Sequence, residues 1–253
     1  MTDWVYGMRP VMETLEGDPE GALRLWVSSR RKKGLDKITA AARKAKIKIS
    51  PISPEELDER SRGGNHQGLA LEVRPFQYVG FDHWLASASR DRAEGVDPLV
   101  LILDQVQDPM NLGAIIRSAA AFGVEAVIIP ERRASPVTPT AVRSSAGMAR
   151  KVPVIRVGNL SRTIERLKAE GFWVAGAATR SGRSPWQVDL KGPVALVMGS
   201  EHSGIRRLVA KGCDHHLTLP LMEGVESLNV SAAAAMLIYE VRRQQGWTGR
   251  KVQ

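Results

Sequence analysis

Apolar positions recur along this chain with two different spacings. Near the start the alternation is short: Leu23-Arg-Leu-Trp-Val27, Lys46-Ile-Lys-Ile49 and Leu69-Ala-Leu-Glu-Val73 read as strands, and 35–46 reads as a helix. From residue 98 the pattern becomes regular. Leu99-Val-Leu-Ile-Leu103 is a continuous apolar run, as for a strand covered on both faces. Asn111 opens a helix to about Phe122, stopped by Gly123, and Ala126-Val-Ile-Ile129 is the next strand. A helix near 137–147, a strand at 153–156, a helix at 159–169 and a strand at 172–177 follow. Then come strand Val194-Ala-Leu-Val-Met198, a helix from about Gly204 to Ala210, a strand at 215–219 and a long helix over 227–245. Strands alternating with helices predict an α/β fold with a parallel sheet covered on both sides.

The pattern divides the chain into a small α/β unit over 1–77, a polar connector over 78–97 with at most one short helix, and a larger α/β domain over 98–253. No internal repeat or low-complexity segment is evident. The 253 residues suit two modest domains.

Charge changes this picture. Lys and Arg number 36 against 27 acids, a net +9, and the pI is about 10.0. Such a balance favours a polyanionic partner, nucleic acid above all. Nine cations crowd 30–48 against one acid, Asp36. Arg31, Lys33, Lys44 and Lys46 belong to this cluster, which reads either as a solvated helix face or, preferably, as a phosphate-binding surface. Arg143, in a second basic segment with Arg132, Arg133, Arg150 and Lys151, is a further RNA-contact candidate.

No run of about 18 apolar residues is present, and Met1-Thr-Asp-Trp-Val-Tyr6 lacks the form of a signal peptide, so the expectation is a cytoplasmic protein without membrane contact. The single cysteine, Cys213, reads as a buried apolar residue rather than a nucleophile, and no His/Cys cluster suggests a metal. Gly199-Ser-Glu-His-Ser-Gly204 has P-loop spacing but continues Ile-Arg, without the lysine and hydroxyl that a P-loop needs. No GxGxxG follows a predicted strand.

Three segments carry the chemistry, each where a strand gives way to a turn or helix: Asn111-Leu-Gly-Ala-Ile-Ile-Arg117, Leu196-Val-Met-Gly-Ser-Glu-His-Ser-Gly204, and Leu219-Pro-Leu-Met-Glu-Gly-Val-Glu-Ser-Leu-Asn229. Ligands of open α/β sheets bind at the carboxyl ends of the strands. In order and wording these segments resemble the SpoU/TrmH branch of the SPOUT RNA methyltransferases. Tyr6-Gly-Met-Arg-Pro-Val11 and Asn65-His-Gln-Gly68 extend the resemblance into the N-terminal region, most like the bacterial 23S rRNA (guanosine-2′-O-)-methyltransferases.

The resemblance implies a trefoil-knotted SPOUT domain behind an L30e-like RNA-binding domain, and a homodimer formed beside the cofactor by the last helix. It implies S-adenosyl-L-methionine as methyl donor and a ribose 2′-hydroxyl as acceptor. Gly199, Leu219 and Leu228 would wrap the donor, with Ser200 and Met222 assisting. The resemblance gives Arg117 the role of activating the 2′-hydroxyl, with Asn111, Glu201, Ser227 and Asn229 around it; since a guanidinium hardly deprotonates in proteins, clamping the adjacent phosphate and stabilising the developing alkoxide is the preferred form of that role. From the residues alone Asn111 also reads as a helix N-cap, and Arg117 as a solvated residue off the apolar stripe of Leu112, Ile115, Ile116 and Ala119. Two other readings remain: tRNA ribose methylation by the same chemistry, and a non-catalytic RNA-binding assembly factor.

Overall fold

The alternation at 23–27 becomes strand β2 (Ala22–Ser28), whose Leu25 is fully buried, and that at 69–73 becomes β4 (Leu69–Val73). They pair antiparallel in a sheet ordered β1-β4-β2-β3, with β1 (Asp3–Tyr6) and β3 (Lys48–Ile52) at its edges. β3 runs past the predicted end at Ile49 because Pro51 is tolerated on an edge strand, where its missing N–H leaves no inner ladder broken. Helices α1 (Met8–Gly17) and α2 (Asp36–Lys44) bury Val11, Leu15, Ile38 and Ala42 against one face. α2 stops short of the predicted Lys46, which adopts a left-handed φ of 57° and turns the chain into β3. On the other face, α3 (Pro54–Ser61) sets Leu57 against Ile52 and Ala70, beside half-buried Trp4, Tyr6 and Trp26.

In this computed structural model, residues 2–31, 34–62, 64–91, 97–178, 181–200 and 203–249 are described. They fall into two units, Met1–Gln77 with Thr138–Arg143, and Tyr78–Val137 with Ser144–Gln253.

The second unit is built on six parallel strands ordered β10-β8-β9-β5-β6-β7. These are β5 (Leu99–Leu103), β6 (Ala126–Pro130), β7 (Val154–Val157), β8 (Trp173–Ala177), β9 (Val194–Met198) and β10 (His215–Leu217). Every residue of β5, β6 and β9 is buried, as continuous apolar runs require in a sheet covered on both faces. α5 (Pro109–Ala121) and α9 (Val230–Gln244) pack together on one face. α7 (Leu160–Ala169) and the short α8 (Arg207–Ala210) bury Leu160, Ile164, Leu167 and Val209 in the core of the other. The predicted helix over 137–147 is confined to α6 (Pro139–Ser144).

Residues 78–91 of the stretch 78–97 are not a free connector. Residues 81–91 form α4 (Phe81–Asp91), and Trp84, Leu85 and Ala88 lie in the same core as α7. The i, i+3, i+4, i+7 spacing of Phe81, Trp84, Leu85 and Ala88 is a helical apolar stripe that the surrounding polar residues obscure in the sequence.

A buried arginine closes the far end of this unit. Arg242, 2% exposed, donates to the carbonyls of Phe122 (2.9 Å) and Gly123 at the end of α5, and to that of Asp97 (2.8 Å) before β5. Asp214 accepts from Val174 N–H (2.9 Å) and from Lys168, joining β8, β10 and α7. Burial alone would raise its carboxyl, but the Lys168 ammonium and the Val174 N–H outweigh that and hold it below the usual aspartate range.

Candidate active site

Strand order fixes where a ligand can sit. From β5 the chain winds outward through β6 and β7, then crosses to β8 and returns to β9 on the other side of β5. The reversal lies between β5 and β9, and the crevice outside their carboxyl ends is the expected binding place. Leu103 pairs with Met198 there, and Asp104 N–H still donates to Met198 C=O (2.7 Å), so 104–108 and 199–205 leave the sheet side by side.

Asp104 holds that pair of loops. It is 0% exposed, and its carboxylate accepts from the backbone N–H (2.8 Å) and Nε (2.7 Å) of Arg206. The loop 199–205 is thereby tied at its far end to β5. Within it, Ser200 and Gly204 exchange backbone hydrogen bonds (3.1 and 3.0 Å), and Ser200 Oγ meets Ser203 Oγ at 2.7 Å. Gly199 is required by this turn itself. A Cβ there would come within 2.1 Å of the Gly204 carbonyl carbon. The sequence reading treats Gly199 as room for a ligand, but the first thing a side chain would strike is backbone.

Two clefts flank this loop. One is mostly apolar, open to solvent, and lies between the ends of β8, β9 and β10 and the start of α9. Gly199, Ser200, Leu219, Leu228 and Ser227 line it. Ala177, Leu217, Leu221, Ala233 and Leu237 form part of the wall, where in the sequence each reads simply as core, and Glu226 is the one acid among the described lining residues. Met222 does not line it: the side chain is 82% exposed, and its neighbour Leu221 takes the place instead.

The second cleft is polar and lies at the switch point, lined by Gln105, Asp108, Asn111, Ser200 and Ser203 among others. Two helices begin at it. Asp108, not Asn111, is the N-cap of α5: its Oδ1 accepts from Met110 N–H (2.9 Å), with Pro109 at the first helical position. Asn229 caps α9 through Oδ1 to Ser231 N–H (2.9 Å), while its Nδ2 donates to Asn111 Oδ1 (3.0 Å). Residues 118 positions apart are thus joined across two helix N-termini. Gln105 enters the cleft with a φ of 66°, an uncommon conformation for a side-chain-bearing residue.

Arg117 stands apart. It is exposed on α5, six residues and about 9 Å of helix beyond Asn111, and lines neither cleft. Glu201 and Lys33 lie outside the described residues. Cys213 donates to Val209 C=O (3.6 Å), and burial pushes its thiol up to about 12, which suits the packing role and not a nucleophile.

Of the proposed RNA contacts in the N-terminal unit, Lys44 and Lys46 are exposed. Arg31 is not available in the same way: its guanidinium folds back onto Gln67 C=O and Met8 Sδ (3.3 Å). Arg143 is exposed and paired with Glu16 at 3.1 Å. The two N-terminal motifs meet each other. Gln67 Oε1 accepts from Met8 N–H (3.0 Å) and so caps α1, whose N-cap residue, Gly7, has no side chain to do it. Among the described residues there is no cluster of three or more metal-ligating side chains, and no helix is long and apolar enough to cross a membrane.

Comparison with known proteins agrees with this layout. The family model described as "SpoU rRNA Methylase family" matches residues 98–239, and one described as "RNA 2′-O ribose methyltransferase substrate binding" matches residues 4–79. The chain is 39% identical over 248 residues to the 23S rRNA (guanosine-2′-O-)-methyltransferase RlmB of Pseudomonas aeruginosa, covering 97% of this chain and 98% of that protein. It is 37% identical to an uncharacterised tRNA/rRNA methyltransferase of Synechocystis, where it covers 97% of this chain and spans only 63% of that longer protein. Among solved structures, the SpoU methyltransferase AviRb of Streptomyces viridochromogenes, determined in complex with AdoMet, superposes with a TM-score of 0.62 at 23% identity, covering 98% of this chain and 92% of that one.

Proposed function

The chain belongs to the SpoU rRNA methylase family and is an S-adenosylmethionine-dependent RNA methyltransferase, and within that class we propose that it methylates the ribose 2′-hydroxyl of a guanosine in 23S rRNA. The observation that carries the reading is the pairing of an apolar cleft with a polar one across a single loop, 199–205. The apolar wall of the first cleft, edged by Gly199, Ser200 and Gly204 of the turn, suits an adenosine. S-adenosylmethionine, when bound, supplies a methyl group already activated as a sulfonium.

The chain's own residues position the acceptor. Asn229 orients Asn111 while capping α9, and the N-termini of α5 and α9 bring partial positive charge to the polar cleft, where it favours an alkoxide forming on the ribose. Most of the acceleration then comes from holding two reactants in line. Arg117, exposed, is assigned to a phosphate next to the target nucleotide. Its guanidinium stays protonated in proteins and is no base. Glu201 and Ser227 complete the assigned set. The reading includes a homodimer, for which exposed Met110, Met236 and Tyr239 on α5 and α9 offer apolar surface, and a cytoplasmic location beside the ribosomal substrate.

The test is tritiated methyl transfer to 23S rRNA from a strain lacking the enzyme, with the product nucleotide mapped. The wild type should label one guanosine. Arg117→Ala should melt near the wild-type temperature, since exposed changes cost within about 0.5 kcal/mol, and transfer methyl about 10²-fold more slowly. Labelling of tRNA and not rRNA would replace the substrate. No labelling of either would leave an RNA-binding factor.

A further inference from the structure

The second unit carries another depression, on the face of its sheet where α7 and α8 pack. It is a groove of about 640 Å³, open to solvent, between the start of α7 and α8. Its walls are Gly158, Asn159 and Ser161 on one side and Arg206, Arg207 and Lys211 on the other, with Glu165 as the acid. The site described above uses none of these except Arg206, through its hold on Asp104.

We propose that this groove holds the phosphate backbone of the RNA on the catalytic unit, with Arg207 and Lys211 contacting phosphates that flank the target ribose. The proposal rests on the RNA substrate assigned above and says where its strand runs. Three observations carry it.

Arg207 and Lys211 are both exposed, and neither has an ion-pair partner among the described residues. Cations elsewhere on this unit are often engaged: Arg166 with Asp82, Lys168 with Asp214, Arg243 with Glu240. Two unneutralised cations on one groove wall make a polyanion site. The opposite wall adds the positive end of a ten-residue helix, N-capped by Asn159 Oδ1 to Arg162 N–H (3.1 Å).

Position supplies the third argument. α7 starts at the carboxyl end of β7, two strands from β5, a lateral offset of about 10 Å at roughly 4.8 Å per strand. That offset is more than a single nucleotide step, so phosphates held here flank the target ribose and do not carry it. Arg206 links groove and site directly, because it stands on the groove wall while its backbone N–H and Nε anchor to Asp104 behind the 199–205 loop. A strand lying in the groove therefore runs toward the polar cleft. Its phosphates contribute affinity and register, while the target ribose is handled elsewhere.

The experiment measures binding of in vitro transcribed 23S rRNA to the full-length protein across a salt series, without adenosylmethionine, for the wild type, Arg207→Ala/Lys211→Ala and Lys191→Ala. Lys191 is exposed just before β9, at the opposite edge of the sheet. The double variant should bind at least tenfold more weakly near 0.1 M salt, and its log–log salt slope should fall by about 1.4–1.8, for two contacts at roughly 0.7–0.9 each. Lys191→Ala should match the wild type. Single-turnover methyl transfer at saturating RNA should stay within about threefold, so that the loss appears in KM and not in kcat. An unchanged slope in a double variant that melts normally overturns the groove assignment. So does an equal loss in Lys191→Ala, which would mean a diffuse charge effect. Because binding is read without methyl transfer, a wild type that methylates nothing would sink the function above while the slope still judged the groove.

Discussion

Asn229 shows how one side chain serves folding and chemistry at once. Its Oδ1 caps α9 and its Nδ2 holds Asn111, so deleting the side chain confounds the two roles. Asn229→Asp separates them, since a carboxylate still accepts from Ser231 N–H and suits a helix N-terminus, but has no donor for Asn111. Asn229→Ala should lower stability by about 1 kcal/mol in urea unfolding, the usual value of a lost cap. Asn229→Asp should stay near wild type, and both should slow methyl transfer by about 10-fold or more under single-turnover conditions. Equal transfer rates in Asn229→Asp and wild type would remove the Asn111 contact from the mechanism. Gly199 belongs to the same scale. Because a Cβ at 199 collides with the backbone of Gly204, substitution there disturbs the loop before it reports on any ligand. Ala233, on the cleft wall, is the cleaner probe of that space.

Among the elements, α4 changes the account most. A stretch rich in polar residues looks like a tether, yet Trp84 is 5% exposed and packs with Ile155, Leu160 and their neighbours. Trp84→Ala should therefore cost about 3–5 kcal/mol of stability, the range for a large aromatic removed from a core. A tether would lose almost nothing. Urea unfolding followed by the signal of the second unit reads the difference, and a change under about 1 kcal/mol would return α4 to a connector. Asp104 acts between elements in a similar way. The residue just after an apolar strand carries no helical or strand signal, yet buried against Arg206 it decides how β5 and the 199–205 loop share one end of the sheet.

For the whole molecule, charge is the property that sets the partner. Local pairs such as Arg30 with Glu55 and Arg60 with Glu56 neutralise some of the 36 cations but leave the excess of nine unmatched. What remains exposed on the N-terminal unit includes Lys37, Lys44 and Lys46 on and after α2. Changing these three to alanine should lower the salt slope of rRNA binding by about 2–3, at close to one unit per contact, and leave adenosylmethionine affinity unchanged in calorimetry. A slope identical to wild type would make that surface a solvated face. Arg31 is left out of the set because its guanidinium supports the loop around Gln67.

The sequence by itself determined the α/β organisation, the six strands of the larger unit's sheet and the places where loops leave their carboxyl ends. Periodicity and turn residues are local signals, and parallel strands buried on both faces write theirs strongly. Helix limits shifted by a few residues wherever a cap or a left-handed residue decided them, as Asp108 did for α5 and Lys46 for α2. Only the tertiary structure decided which side chains meet. That Asn111 joins Asn229, that Leu221 and not Met222 faces the apolar cleft, that Arg31 turns inward and that Asp104 pairs with Arg206 all depend on segments brought together from as far as 118 residues apart. Such contacts leave no periodic trace along the chain, because the energy that selects them arises from packing between elements and not within one.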